Sequence, residues 1–164
     1  MSKILVSACL LGHKVRYDGN DKLQTHARLQ ALIKSGNVIA ICPEVSGGLS
    51  TPRPPAEIQH AMCGNDVLKG NARILANDGV DVTNQYVEGA YKALALVHEH
   101  NIHIAILKAR SPSCGVEKIY DGTFSHTLIH GMGVTAALLS QHGVSVFDEY
   151  RIDEALYAYD ENKR

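Results

Sequence analysis

The stretch Lys3-Ile-Leu-Val-Ser-Ala-Cys-Leu-Leu-Gly12 decides how this chain is read. A short apolar run, Ile4 to Ala8, leads straight into Cys9 and stops at a glycine. Two further segments repeat the design. Val38-Ile-Ala-Ile41 runs into Cys42-Pro-Glu44 with Gly47-Gly48 behind it, and Ile102 to Leu107 runs into Lys108-Ala-Arg-Ser-Pro-Ser-Cys114-Gly115. Short apolar runs rich in β-branched residues are the mark of strands buried on both faces. If the three strands are parallel, the loops that follow them share one edge of the sheet. That carboxyl edge is where open α/β folds bind their ligands. Three thiols are thereby expected at one place.

The rest of the chain supplies the helices for such a sheet. Apolar spacing predicts a helix from Leu23 to Ile33, stopped at Gly36. Cys42 to Pro55 holds four prolines and two glycines, which makes it an irregular but stiffened loop. Val67 to Val82 is expected to form a small peripheral β-hairpin around Asn77-Asp78-Gly79. The strongest helix runs from Thr83, read as its N-cap, to His100, with Tyr86, Val87, Ala90, Leu94 and Val97 on one face. Residues 119–130 have mixed character. A helix over Val134 to Gln141, a strand over Val144 to Phe147 and a helix over Ile152 to Tyr159 close the chain. Strands alternating with helices predict a single α/β domain over 1–164: a three-layer, Rossmann-like, mostly parallel sheet with helices on both faces.

Composition narrows the function classes. A net charge of −1 lacks the basic footprint of a nucleic-acid binder, so no DNA partner is expected. No apolar run approaches the length of a membrane span. Val6-Ser7-Ala8-Cys9 resembles a lipoprotein processing site, but the apolar stretch before it is too short for a signal core. The expectation is a cytoplasmic protein with reduced thiols, where clustered cysteines mean metal or catalysis rather than disulfides. Sequence says nothing of the oligomeric state.

A lone cysteine is most often a small buried hydrophobe, and Cys63 in Ala-Met-Cys-Gly reads that way. Cys9, Cys42 and Cys114 differ, each following a strand and preceding flexible backbone. They are separated by 33 and 72 residues, with no Cys-x-x-Cys pair of the kind structural zinc favours. Such spacing suits a cluster that takes several soft ligands from different loops. A cubane held by three cysteines leaves one iron open to substrate. Glu44, two residues past Cys42, is placed to act as a general base. Ser113 is placed to bind substrate, as an alternative to its neighbour Ser111, or equally to hydrogen-bond cluster sulfur. Arg16, Asp18, Arg53, Lys108 and Arg110 lie in loops of the same edge, where they could bind carbonyl or phosphate oxygens. Glu57 is as readily structural as functional. The histidines around His98, His100 and His103 read as a solvated helix end. Gly131-Met-Gly-Val-Thr-Ala136 resembles a dinucleotide fingerprint but lies too late in the chain. Its helix N-terminus remains a possible phosphate site.

Taken together, VSACLLG with VRYDG, CPEVSGGLSTPRPPAEI, LKARSPSCG, YDGTF and GMGVTAALL resemble the 2-thiouracil desulfidase (TudS-like) family, from about Lys3 to Phe147. The resemblance implies an oxygen-sensitive 4Fe-4S cluster held by Cys9, Cys42 and Cys114 with one open iron. It implies an enzyme that desulfurises a thiolated pyrimidine, base or nucleotide, with release of hydrogen sulfide. Glu44 and Ser111 match the family's catalytic candidates. Relatives differ in taking free thiobases, thionucleotides or, in longer fused proteins, thiolated tRNA, so thiolated tRNA stays open as a partner here but is not the favoured one. The alternative is a non-catalytic nucleotide- or metal-binding module using the same three-cysteine edge.

Overall fold

The structure, a computed structural model, describes residues 2–162. At its centre stands β1 (Ile4–Ser7), every residue of which is buried. Parallel neighbours are β2 (Val38–Ile41) on one side and β5 (Ile104–Leu107) on the other, and β8 (Ser145–Asp148) adds parallel to β5, giving the order β2-β1-β5-β8. The strand period of two divides the apolar side chains between two faces. Leu5, Ala105 and Leu107 join one core with α4 (Thr83–His100) and α5 (Val134–Gln141). Ile4, Val6, Ile104 and Ile106 join the other, with Leu29 from α1 (Ala27–Lys34) and Leu156 and Tyr159 from α6 (Ile152–Asn162). This is the expected three-layer α/β sheet with helices on both faces. Among the described residues no helix is long and apolar enough to cross a membrane.

Several local expectations change. Helix α1 begins at Ala27 rather than near Leu23, because the preceding segment is captured elsewhere. The Lys22 and Gln24 amides donate to the carbonyls of Cys9 and Leu10, in the 3-10 turn (Ala8–Leu11) that follows β1. Thr83 does not cap α4. Its Oγ1 accepts from the Ile74 amide at 2.9 Å, and its own amide donates to Asp81 Oδ1. The peripheral hairpin is built differently from its sequence signal: β3 (Ala56–Ile58) pairs antiparallel with β4 (Ile74–Ala76), α3 (Gly64–Leu68) lies between them, and one bridge, Leu75 to Asp81, spans the 77–79 turn. A second antiparallel pair, β6 (Lys118–Tyr120) with β7 (Leu128–His130), accounts for the mixed segment.

Candidate functional site

The turns after β1, β2 and β5 meet at the carboxyl edge of the sheet around a cavity of about 470 Å³. Cys9, Cys42 and Cys114 line it, as do Glu44, Ser111 and Ser113. Cys63 is not part of this lining. All four thiols are free.

Each loop is held by its own backbone logic. Cys9 sits in the 3-10 turn that ends at Gly12, a left-handed residue with φ 94°. Cys42 is the N-cap of the one-turn helix α2 (Pro43–Ser46), with Pro43 at the first helical position, where a missing N–H costs nothing. Helix α2 lies backbone to backbone on α4 through two glycines. A Cβ on Gly47 would stand 1.9 Å from the Gln85 carbonyl oxygen, and one on Gly89 1.9 Å from that of Pro43. That contact brings Glu44 within reach of Tyr86 on α4. The Cys114 turn is clamped from the start of α5: the Gly133, Val134 and Thr135 amides donate to the carbonyls of Gly115, Pro112 and Ser113. Those amides are therefore engaged with protein and not free for a phosphate, which removes the dinucleotide-like reading of the 131–136 run.

Glu44 is the hub of the polar network. Its Oε1 accepts from the Tyr86 hydroxyl at 2.8 Å and from Arg53 Nε at 3.1 Å, and its Oε2 from Ser113 Oγ at 2.9 Å. Arg53, with a side chain only 6% exposed, also reaches the carbonyls of Ser50 and Val15 and the Thr51 hydroxyl. It is a bracket for the proline-rich loop more than a free cation. Ser111 Oγ accepts the Cys114 amide at 2.8 Å and stands 3.2 Å from Ser113 Oγ. Since Ser113 gives its one proton to Glu44, the proton between the two serines belongs to Ser111. The hydrogen bonds thus run Ser111 to Ser113 to Glu44.

The thiols are crowded together, Cys9 and Cys114 buried and Cys42 partly so. Burial, above all, pushes Cys9 up to about 12; the Cys114 and Cys42 thiols add to this, while Lys108 and Arg16 oppose it. Burial likewise pushes Cys114 up to about 11, against the Ser113 hydroxyl, when it turns from Glu44 to this sulfur at 3.5 Å, and the Ser7 hydroxyl. Cys42 is raised by burial and by the Glu44 charge, opposed by the Val45 amide and by Arg53. Each thiolate therefore makes the next one harder to form, unless positive charge enters the cavity. Burial and the Glu44 charge also hold the Tyr86 phenol well above its ordinary value, so it donates.

The remaining candidates divide. Lys108 lines the cavity, with its Nζ 3.0 Å from Glu149 Oε2 and bonded to the Ala109 carbonyl. Arg16 lines it too, with Asp18 3.9 Å away and its guanidinium over the Tyr17 ring. Arg110 is a third lining cation. Asp18 lies outside the lining and accepts the Asn20 amide in its own turn. Three participants escaped the sequence reading. Tyr86 counted as part of an apolar helix face. Ser7, inside a buried strand, accepts the Lys108 amide and donates toward Cys114. Glu149 anchors both Lys108 and the Ala109 amide. A serine in an apolar strand is the one signal among these that the sequence carried.

Among the described residues no three His, Cys, Asp or Glu side chains converge as the ligands of one metal ion would. Three free thiols set around a common cavity suit a soft polynuclear group, whose ligands surround a volume instead of a point.

The sequence profile described as 2-thiouracil desulfurase matches residues 4–151. YbbK of Bacillus subtilis (strain 168) is 47% identical over 153 residues, which cover 93% of this chain and 99% of YbbK. A solved structure described as the 4Fe-4S-dependent thiouracil desulfidase TudS superposes with a TM-score of 0.88. It is 44% identical, over 98% of this chain and 99% of that one.

Proposed function

This chain belongs to the 2-thiouracil desulfurase family, and on that premise we propose that it removes sulfur from a thiolated pyrimidine, giving the oxo-base and hydrogen sulfide. The observation that carries the reading is the meeting of Cys9, Cys42 and Cys114 with Glu44 in one cavity. In this reading the three thiolates hold a 4Fe-4S cluster. Bound there, the cluster would supply an iron without a protein ligand, a Lewis acid for the thiocarbonyl sulfur.

The protein's own groups handle water and protons. Glu44, kept in place by Arg53 and Tyr86, retains room at Oε2 beside Ser113 to take a proton from water. Water oxygen replaces sulfur at the ring carbon, so the overall change is hydrolytic and needs no electron donor. Once Glu44 carries that proton the two serine hydroxyls reverse their hydrogen bonds, and Ser113 and then Ser111 pass it toward the departing sulfur. Arg16, Lys108 and Arg110 put positive charge around the cavity, where it favours thiolates and electron-rich ring oxygens. The reading includes a cytoplasmic, reducing setting, supported by four free thiols.

Anaerobic reconstitution with iron and sulfide tests it. About four irons per chain, broad absorbance near 400 nm and sulfide release from 2-thiouracil are expected. Stoichiometric zinc on a colourless, inactive protein would overturn it.

A further inference from the structure

The side of the cavity formed by residues 120–126 takes no part in the chemistry above, yet its backbone is tightly constrained. Gly122, Phe124 and His126 all have left-handed backbones, with φ of 96°, 56° and 60°. For a phenylalanine this conformation is rare, and it persists only where the surroundings impose it. Those surroundings are visible. Glu57 on β3 is buried, 8% exposed, and its Oε1 accepts from the Gly122 amide at 2.9 Å and the Phe124 amide at 3.2 Å. Gly122 lies so close to the end of β3 that a Cβ there would stand 2.6 Å from the Ile58 carbonyl oxygen. From the far side the Ala61 amide donates to the Asp121 carbonyl at 2.9 Å. The loop thus held lines the cavity with Phe124, Tyr120 and His126, and the last two rings meet edge to face at 6.2 Å.

We propose that Phe124 is a specificity-determining residue that stacks on the planar ring of the substrate, and that Glu57 is the positioning residue that holds it there. The proposal rests on the reading of the substrate as a thiolated pyrimidine. A buried carboxylate oxygen tied to the amides of Gly122 and Phe124, two residues apart in a strained loop, fixes a shape. An aromatic wall recognises a flat heterocycle by its face, leaving the ring's exocyclic atoms to the cysteine end of the same cavity. Nothing in this arrangement touches Cys9, Cys42 or Cys114.

Two measurements test it together. Uracil, which does not react, is titrated calorimetrically into the protein as purified and after anaerobic reconstitution. KM and kcat for sulfide release from 2-thiouracil are measured beside iron content. Base–aromatic stacking corresponds to roughly 5- to 150-fold in affinity, so Phe124→Leu and Glu57→Ala should weaken uracil binding and raise KM by about 10-fold or more. Iron content and kcat should stay close to wild type. Phe124→Tyr, which keeps the ring, and Glu57→Gln, which keeps an acceptor oxygen, should bind within about threefold of wild type. Phe124→Leu with unchanged affinity and KM overturns the proposal, as does absence of uracil binding by either form of wild type. Glu57→Gln as weak as Glu57→Ala also overturns it, since the charge itself would then meet substrate. If Glu57→Ala does not fold, the Phe124 pair decides. A wild type that binds uracil through Phe124 but releases no sulfide refutes the desulfuration and leaves the wall standing; an active enzyme indifferent to Phe124→Leu does the reverse.

Discussion

Cys42 and Cys63 occupy the same local position, the N-cap of a short helix, and their neighbourhoods share almost nothing else. In α3 the third helical residue is Asp66. Its Oδ2 accepts the Cys63 amide at 3.0 Å and the Cys63 thiol at 3.3 Å, closing a capping box. In α2 the corresponding residue is Val45, which offers no acceptor. As a donor the Cys42 thiol has only a long contact to the Val15 carbonyl, at 3.9 Å; its sulfur takes the Val45 and Glu44 amides and faces the cavity with Cys9 and Cys114 nearby. What separates a thiol consumed by local structure from one available to a ligand is thus the residue three places on, together with which edge of the sheet the turn reaches.

The largest expected effect breaks this contrast directly. Cys42→Ser, like Cys9→Ser or Cys114→Ser, should abolish iron incorporation, because a hard hydroxyl replaces a soft thiolate. Metal analysis of anaerobically reconstituted variants reads the result. A Cys42→Ser protein with wild-type iron would remove Cys42 from the ligand set. Next in size comes the residue beside it. Glu44→Gln keeps the volume and the acceptor for Arg53 and Tyr86 but cannot accept a proton, and general-base help is typically worth about 10²–10⁴-fold. Sulfide release should fall about 100-fold or more while iron stays bound. Lost iron would instead mean that Glu44 chiefly holds the Cys42 loop.

How far these features were legible varies with how local their cause is. The buried strands β1, β2 and β5 announce themselves as apolar runs, and α4 and α5 have the expected limits because period and stop signals lie within them. Glu44 and the three loop thiols were legible from position after a strand. The start of helix α1 was not, since its missing first turn follows bonds to a 3-10 turn more than ten residues earlier. Nor was the pairing of β3 with β4 across an intervening helix. Tyr86 shows the limit most clearly. Its ring belongs to the apolar face that the sequence predicts, and only the close packing of Gly47 and Gly89 turns its hydroxyl into a donor for Glu44. Hydrogen bonds to charged groups contribute about 1.5–3 kcal/mol, so Tyr86→Phe should lower the stability of cluster-free protein by that amount in urea unfolding. The exposed Arg73–Asp81 pair serves as reference, since breaking it should cost below about 1 kcal/mol. Equal losses at the two sites would show that Glu44 does not depend on Tyr86.

The smallest effect belongs to Cys63, and it sharpens the comparison by being small. Serine is a better N-cap than cysteine and donates more strongly to a carboxylate, so Cys63→Ser should strengthen the bond to Asp66. Against this stands lost packing, because the half-buried Cys63 belongs to the margin of the larger core. The two effects oppose each other, and the net change should lie within about 1 kcal/mol, with iron content and sulfide release unaltered. Acid titration separates them. The Cys63 amide and then its thiol hold Asp66 below its ordinary value of 3.8. A carboxyl group with a depressed folded pKa stabilises the native state above its unfolded pKa, and that help fades as pH falls through the folded value. Any gain from serine at the cap should therefore be level from neutral pH down to about 4 and disappear below, while the packing loss persists at every pH. In an Asp66→Ala background the part of the gain that comes from the bond to the Asp66 carboxylate should be absent, while acceptance of the residue-66 amide by the cap side chain remains. A difference that is pH-independent and the same in the Asp66→Ala background would show that the bond from residue 63 to the Asp66 carboxylate contributes nothing to it. Iron lost from Cys63→Ser would place it among the ligands, and the distinction drawn from Val45 and Asp66 would fail.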